Sequence, residues 1–389
     1  MARKKDEDID PSSVDSLYDL SGIVKELNKL NDNVPQATFL SEEAISNVKE
    51  WISTGNYALN GILSGNLRGG IPEGRVVGFA GPSGVGKTFF LCKIMKNAMK
   101  MGYQPFYFDS EGAVDNEFVS RMGIDISKVL HFPVGVVEDV QIRMKKLLDG
   151  IVENNKKIDE INKVRAANGE EPVQRLKCIF FLDSLGNLHT QKEETDTDSG
   201  KVVADMGTRA KVMGSFLRLI TAKAAAAKVP IIFSNHTYDN PASLYPTLVK
   251  NQSGGSKVLY MASQLVQLSQ ALDKVADNKD EERSALSDRT VGRRIHALTT
   301  KNRFRVDELE IDMTLNYKTG LDPYSGLLDL ATRVGYIEQK GPVYLLNGEK
   351  LGYRSAFDNK EFWDAHMDEL NVIVERETRL STEIPEIED

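Results

Sequence analysis

The segment RVVGFAGPSGVGKTFFLCKIMKNAMK, residues 75–100, constrains the fold more than any other. An apolar run ends in G-x-x-x-x-G-K-T, and an amphipathic run follows at once. The loop comprises Gly81, Pro82, Ser83, Gly84, Val85, Gly86, Lys87 and Thr88. Its glycines let backbone N–H groups wrap a phosphate chain, and a helix start adds positive potential. Lys87 would reach the β and γ oxygens, and the Thr88 hydroxyl would ligate Mg²⁺. Strand, loop and helix must follow one another here, as in α/β proteins that bind nucleoside triphosphates.

The rest of the chain repeats that alternation. Strands are expected at RVVGFA, QPFYFD, KVLHF, CIFFLD, VPIIFSN, QLVQLS, RRIHALTT and ELEIDMTL, and helices over 87–101, 137–151 and 203–227. Continuous apolar strands separated by helices imply a parallel sheet covered on both faces. The later strands lack intervening helices and are expected to extend the sheet as antiparallel members. From about 321 the pattern changes to short helices and a hairpin-like YLLNGEKLGY, a small C-terminal domain. Residues 154–175 are polar and read as a solvated helical extension.

Composition narrows the class. With 389 residues, 41% of them hydrophobic, the chain can bury a sizeable core. Its two cysteines, Cys92 and Cys178, make no C-x-x-C, so neither a disulfide framework nor a zinc site is expected, and a reducing cytoplasm fits. No apolar run reaches the roughly 18 residues of a membrane span, and MARKKDEDID does not read as a signal peptide. The net charge of −8 speaks against a nucleic-acid partner only until it is located. Residues 367–389 hold eight acids against Arg376 and Arg379, a net −6, which leaves the body near neutral.

A nucleotide site of this kind needs a second carboxylate for Mg²⁺ at the end of a neighbouring strand. CIFFLDSLGNL supplies Asp183. Hydrolysis also needs a group that orients or deprotonates water. FYFDSEGAVD offers Asp109, Glu111 and Asp115, and composition does not choose among them. After PIIF comes a long aperiodic stretch, SNHTYDNPASLYPTLVKNQSGGSKVLYMAS, residues 234–263. Loops of that length inside a compact domain are functional or disordered.

IPEGRVVGFAGPSGVGKT, FYFDSEGAVDNEFVSRMGIDISKVL, FLDSLGNL and SNHTY, in this order and spacing, resemble the RecA-type recombinases. The phage branch typified by UvsX is similar also in its SNHTY-like and GLDPYSGLLD-like segments. The resemblance runs from about Asn47 to Trp363. It implies a RecA-like P-loop ATPase core, a mostly parallel central sheet flanked by helices, with ATP and Mg²⁺ as cofactors. The family's catalytic glutamate falls on Glu111, and an aromatic that stacks on adenine falls on Phe118, where Phe keeps the π face without a hydroxyl. Two basic residues that reach a neighbouring subunit's ATP fall on Lys301 and Arg303. His236 stands where many relatives have Gln, at a position that senses the γ-phosphate.

The resemblance also implies two DNA-binding loops, at about 189–208 and 237–257. In the first, contact is expected at Met206, Gly207 and Arg209, with Arg218 further along the following helix. In the second it is expected at Tyr245, Lys250, Gly254, Gly255 and Lys257, through backbone grip and wedging groups more than a basic patch. The implied division is an N-terminal oligomerisation segment over 1–50, with Phe39 as a docking aromatic, the core over 51–320, a small α+β C-terminal domain over 321–372, and an acidic tail over 373–389. The implied partners are single- and double-stranded DNA, further copies of the chain in a helical filament, and single-strand-binding and loader or mediator proteins; no membrane is implied. A hexameric helicase on the same core, or a mediator with regulatory ATP binding, are the alternatives.

Overall fold

A computed structural model describes residues 48–112, 114–200, 206–238, 250–252, 260–271 and 292–380, together with Glu26. The chain enters through a short strand, β1 (Trp51–Ile52), and a helix, α1 (Tyr57–Ser64). Asn56 caps α1 by accepting from the Leu59 N–H at 2.8 Å. β2 (Ile71–Pro72) returns antiparallel to β1. The core units follow: β3 (Val76–Gly81), α2 (Lys87–Lys100), β4 (Gln104–Asp109), α3 (Asn116–Arg121), β5 (Leu130–Pro133), α4 (Val137–Ala167), β6 (Cys178–Asp183), α5 (Gln191–Asp198), α6 (Met206–Ala227) and β7 (Ile231–Tyr238).

Later strands complete a ten-stranded sheet among the described residues. They are β8 (Asn251–Gln252), β9 (Gln264–Ala271), β10 (Gly292–Asn302), β11 (Glu310–Asn316) and β12 (Gly320–Leu321). The order is β12-β11-β10-β9-β3-β7-β6-β4-β5, with β8 pairing β7 off this path. β5, β4, β6, β7, β3 and β9 run parallel, and β10 to β12 are antiparallel additions.

The expectation that the later strands are antiparallel holds for β10 to β12 and fails for β9. β9 lies parallel to β3, with Val77 opposite Gln264, and is not an antiparallel extension. β7 and β9 flank β3 on opposite sides, so the chain between them is a crossover. A parallel return needs about a dozen residues or more, a length that residues 239–263 supply.

The strands are buried on both faces, so their side chains alternate between two cores. Val77, Phe79, Tyr107, Ile179, Phe181, Ile232 and Val266 join α1 and α2 on one face. Val76, Phe106, Phe108, Phe180, Leu182, Phe233 and Leu265 join α4 and α6 on the other. Each strand therefore reads as one apolar run with no visible alternation. Losing a buried Phe from such a core costs about 3–5 kcal/mol, so the register of these strands is strongly specified.

The C-terminal part contains α7 (Leu327–Arg333), a small sheet of β13 (Glu338–Lys340), β14 (Val343–Leu346) and β15 (Glu349–Gly352), and α8 (Lys360–Glu377). The expected hairpin turns at Asn347 and Gly348, both with positive φ (52° and 85°), the requirement of a type I′ turn. Trp363, Met367, Leu370 and Val374 of α8 join the same core as α1. The positions expected as acidic tail within the described residues, up to Glu377, thus belong to a packed helix. α4 continues past 151 to Ala167, the helical extension expected there, and residues 168–177 fold back along it. Arg175 pairs with Asp159 at 2.6 Å, and the Asn162 side chain bonds both ways with the Val173 backbone (2.7 and 2.9 Å). The described residues from Val48 on form one compact unit.

Candidate nucleotide site

The sheet delivers its functional groups at the C-terminal ends of β3, β4, β6 and β7. β3 runs straight into the phosphate loop, and α2 begins at Lys87. Gly84 and Gly86 hold φ of 75° and 103°, a region closed to most side chains. Lys87 is buried and donates to the carbonyls of Gly81 and Pro82, both at 2.9 Å. Burial lowers its pKa, and the nearby carboxylates of Glu111 and Asp183 oppose the shift. The lysine is thus held extended along the loop as a positive group.

Asp183, at the end of β6, is 1% exposed. Its Oδ2 accepts from the Thr88 hydroxyl at 2.7 Å and from the Tyr107 hydroxyl at 2.8 Å, and its Oδ1 accepts from the Ser234 hydroxyl. Burial, with Asp183 next, pushes the Tyr107 pKa up, which keeps the phenol a donor. Thr88 and Asp183 thus present adjacent oxygens, the donor type a hard cation such as Mg²⁺ takes. Among the described residues there is no cluster of three or more His, Cys, Asp or Glu arranged for a metal. A cation here would fill its coordination from phosphate and water, as magnesium does. The residues present fit the group.

The three acids after β4 separate by role. Asp109 turns back, its Oδ1 accepting from the N–H groups of Glu111 (3.0 Å) and Gly112 (2.8 Å). Asp115 caps α3, accepting from the Glu117 N–H. Glu111 points to the loop and meets His236, Oε1 to Nε2 at 3.1 Å. His236 stands on β7 directly opposite Gly81 of β3. Phe118, on α3, is 37% exposed and takes its place in the same cavity. That cavity, of about 270 Å³, is lined by Ser83, Gly84, Gly86, Lys87, Thr88, Phe89, Glu111, Phe118, Asp183 and His236.

The other expected residues lie elsewhere. Lys301 and Arg303 close β10 at the opposite end of the sheet, both donating to the Tyr260 carbonyl at 2.9 Å. Asn302 pairs with Gln264, which pairs with Val77 at the start of β3. Four residues of strand, about 13 Å, separate them from the phosphate loop of their own chain. Arg209 donates to the carbonyls of Gly186 (2.6 Å) and Leu188 (3.0 Å), tying the start of α6 to the turn after β6. Gly207 is exposed, and so is Arg218, whose Nε bonds Gly214 of its own helix at 3.3 Å. The Lys250 N–H donates to Gln267 at 2.8 Å. Met206 opens α6. Phe39, Tyr245, Gly254, Gly255, Lys257 and the last nine residues lie outside the described residues.

Several contributors escaped sequence reasoning. Tyr107 and Ser234 read as ordinary strand residues, yet both bond Asp183. Arg293 on β10 and Gln270 on β9 both donate to the Gly84 carbonyl, at 2.6 and 3.3 Å, and brace the loop from outside. The start of a strand after a charged stretch gave no signal of this.

Fold and site together define a RecA-like P-loop ATPase core. The RecA N-terminal domain family matches residues 23–140. The chain is 29% identical over 300 residues to the recombination and repair protein of Enterobacteria phage T4, a match that covers 77% of this chain and 67% of that one. It is 25% identical to the RecA proteins of Heliobacterium modesticaldum, covering 84% and 82%, and of Streptomyces venezuelae, covering 78% and 69%. The chain is therefore RecA-type in fold and in its likeness to recombination proteins. Among the described residues no helix is long and apolar enough to cross a membrane.

Proposed function

We propose that the chain is an ATP-dependent DNA recombinase. It polymerises on single-stranded DNA, pairs that strand with homologous duplex, exchanges strands, and hydrolyses ATP to turn the assembly over. The observation that carries this reading is the Glu111–His236 contact. It joins the candidate water-activating carboxylate to the strand that leads into residues 239–257, the expected DNA loop.

In this reading the amides of Ser83 to Thr88 and the Lys87 ammonium bind the phosphates, and Phe118 stacks on the base. Mg²⁺, held by Thr88 and Asp183, would neutralise phosphate charge. Glu111 orients the attacking water and accepts its proton. His236 holds Glu111 until the loop engages DNA, which makes hydrolysis DNA-dependent if the two loop states differ in affinity for ATP. Lys301 and Arg303 act on the ATP of a neighbouring copy in the filament.

Met206, Gly207, Arg209, Arg218, Tyr245, Lys250, Gly254, Gly255 and Lys257 remain the proposed DNA contacts, Arg209 also bonding the Gly186 and Leu188 carbonyls. Residues 1–50 are assigned to subunit docking, 51–320 to the core and 321–372 to a C-terminal domain. Loader and single-strand-binding proteins are the expected accessory partners, in a cytoplasmic setting.

Strand exchange between homologous DNA substrates with ATP is the test, run beside Glu111→Gln. The intact chain should exchange strands. The variant should still coat DNA but hydrolyse ATP about 10²- to 10⁴-fold more slowly, the usual worth of general base catalysis. An intact chain that hydrolyses ATP on DNA yet exchanges nothing would point to a helicase or a mediator. Electron microscopy then distinguishes rings from continuous helical coats.

A further inference from the structure

Glu111 lies two residues beyond β4 in a segment with little packing to hold it. Glu111 and Gly112 are both exposed, and Gly112 adopts φ 62°. Ser110 is tied to β6, its N–H donating to the Asp183 carbonyl and its hydroxyl bonding the Ser184 backbone both ways; beyond it, the backbone N–H groups of Glu111 and Gly112 are held by Oδ1 of Asp109. A turn-forming aspartate needs only that one oxygen. Here the other one is engaged as well: Oδ2 lies 3.2 Å from Nε2 of His131 on β5.

The arrangement is built from both sides. The Asp109 side chain is 4% exposed, whereas that of His131, on the edge strand, is half exposed. The imidazole lies nearly parallel to the Tyr107 ring, centroids 6.4 Å apart at 28°, and His131 is directly opposite Tyr107 in the β4–β5 register. Tyr107 is itself committed to Asp183 through its hydroxyl. One strand, β4, thus ties the Glu111 segment and the Asp183 carboxylate to a common frame. Strand pairing at a half-exposed edge would be served as well by Thr or Val. A ring nitrogen facing a buried carboxylate oxygen does something those residues cannot: it stops the carboxylate from rotating.

We infer that Asp109 and His131 are positioning residues for Glu111, His131 locking the Asp109 carboxylate so that Oδ1 holds the Glu111 and Gly112 amides in place. The inference rests on the reading of Glu111 as the hydrolytic residue. A displacement of about 1 Å at such a group costs on the order of 10²-fold in rate, so loosening without loss of the group should cost less.

The test compares His131→Phe, which keeps a ring to stack on Tyr107 but has no donor, with His131→Gln, which keeps a donor. Two quantities are read: DNA-stimulated ATP hydrolysis, and amide hydrogen exchange at Glu111 and Gly112 in the full chain without nucleotide. His131→Phe should lower kcat about tenfold, leave KM and ATP affinity within about twofold, and speed exchange at these amides. His131→Gln should stay near native in both. Native exchange in His131→Phe overturns the inference whatever the rate does, and so does a loss of ATP affinity that tracks the fall in kcat. Glu111→Gln runs alongside as a control. If it hydrolyses ATP normally, the hydrolytic reading of Glu111 falls, while the exchange comparison still decides whether the pair holds the segment.

Discussion

The two ends of the central sheet both carry a buried or half-buried lysine, and the two lysines are treated in opposite ways. At the C-terminal end, burial lowers the pKa of Lys87, but Glu111 and Asp183 push back in favour of the charge. At the other end, burial and then the like charge of Arg303 together lower Lys301 to about 8, with Asp307 opposing. Arg75, just before β3, is also lowered, by burial and then by Arg303, with Glu73 opposing. The first end contains its own counter-charges and a cavity between them. The second brings Lys301, Arg303 and Arg75 close enough for their like charges to act on one another, with Asp307 and Glu73 opposing. In the proposed filament, the far end of the same strands would complete the site of a neighbouring copy.

The difference predicts that the two ends fail differently. Replacing both Lys301 and Arg303 by Ala should lower DNA-stimulated hydrolysis about 10³-fold, the lower range for a charge-stabilising finger. Nucleotide binding by the isolated chain, followed with a fluorescent ATP analogue, should stay native. If binding fell as well, the far end would not be a half-site but part of the same cavity. Lys87→Ala should do the reverse, weakening nucleotide binding by about 10- to 100-fold per charge-assisted bond lost. Equilibrium titration of the DNA-free chain measures it.

What was legible in the sequence follows the same division. The phosphate loop is legible because phosphate binding demands glycine where φ is positive and a lysine at a fixed offset, as at Gly84, Gly86 and Lys87. Asp183 is legible because it ends an apolar run. Its partners Tyr107 and Ser234 are not, because a donor inside a buried strand looks like any other strand residue. Of the three acids after β4, spacing alone could not choose, since the role of each depends on where its oxygens point. The direction of β9 is not legible, because hydrophobic pattern encodes burial and not the polarity of the strand. Arg209 shows a further limit. A basic residue at the start of a helix beside an expected DNA loop reads as a phosphate contact, while in the fold one of its guanidinium nitrogens, Nη2, also donates to the Gly186 and Leu188 carbonyls.

The smallest effect is the most discriminating, because it separates assembly from folding by sign. Lys301 titrates near 8 in the folded chain and at 10.5 without its surroundings. The unfolded chain therefore binds more protons between these values, and the stability of the fold rises with pH across that window. In the proposed filament, the charge that Lys301 would offer a neighbouring copy does the opposite and is lost as pH passes 8. Filament assembly on single-stranded DNA, followed by light scattering with ATP, should weaken from pH 7 to pH 9 by up to about tenfold in apparent affinity, roughly the loss of protonated lysine. Thermal melting of the DNA-free chain should not fall over the same range on account of this group. Lys301→Arg, which stays charged, should flatten the assembly profile and leave hydrolysis near native at pH 7. An arginine variant that loses assembly at the same pH as the native chain would assign the titration to another group. It would also remove the electrostatic contrast between the two ends of the sheet.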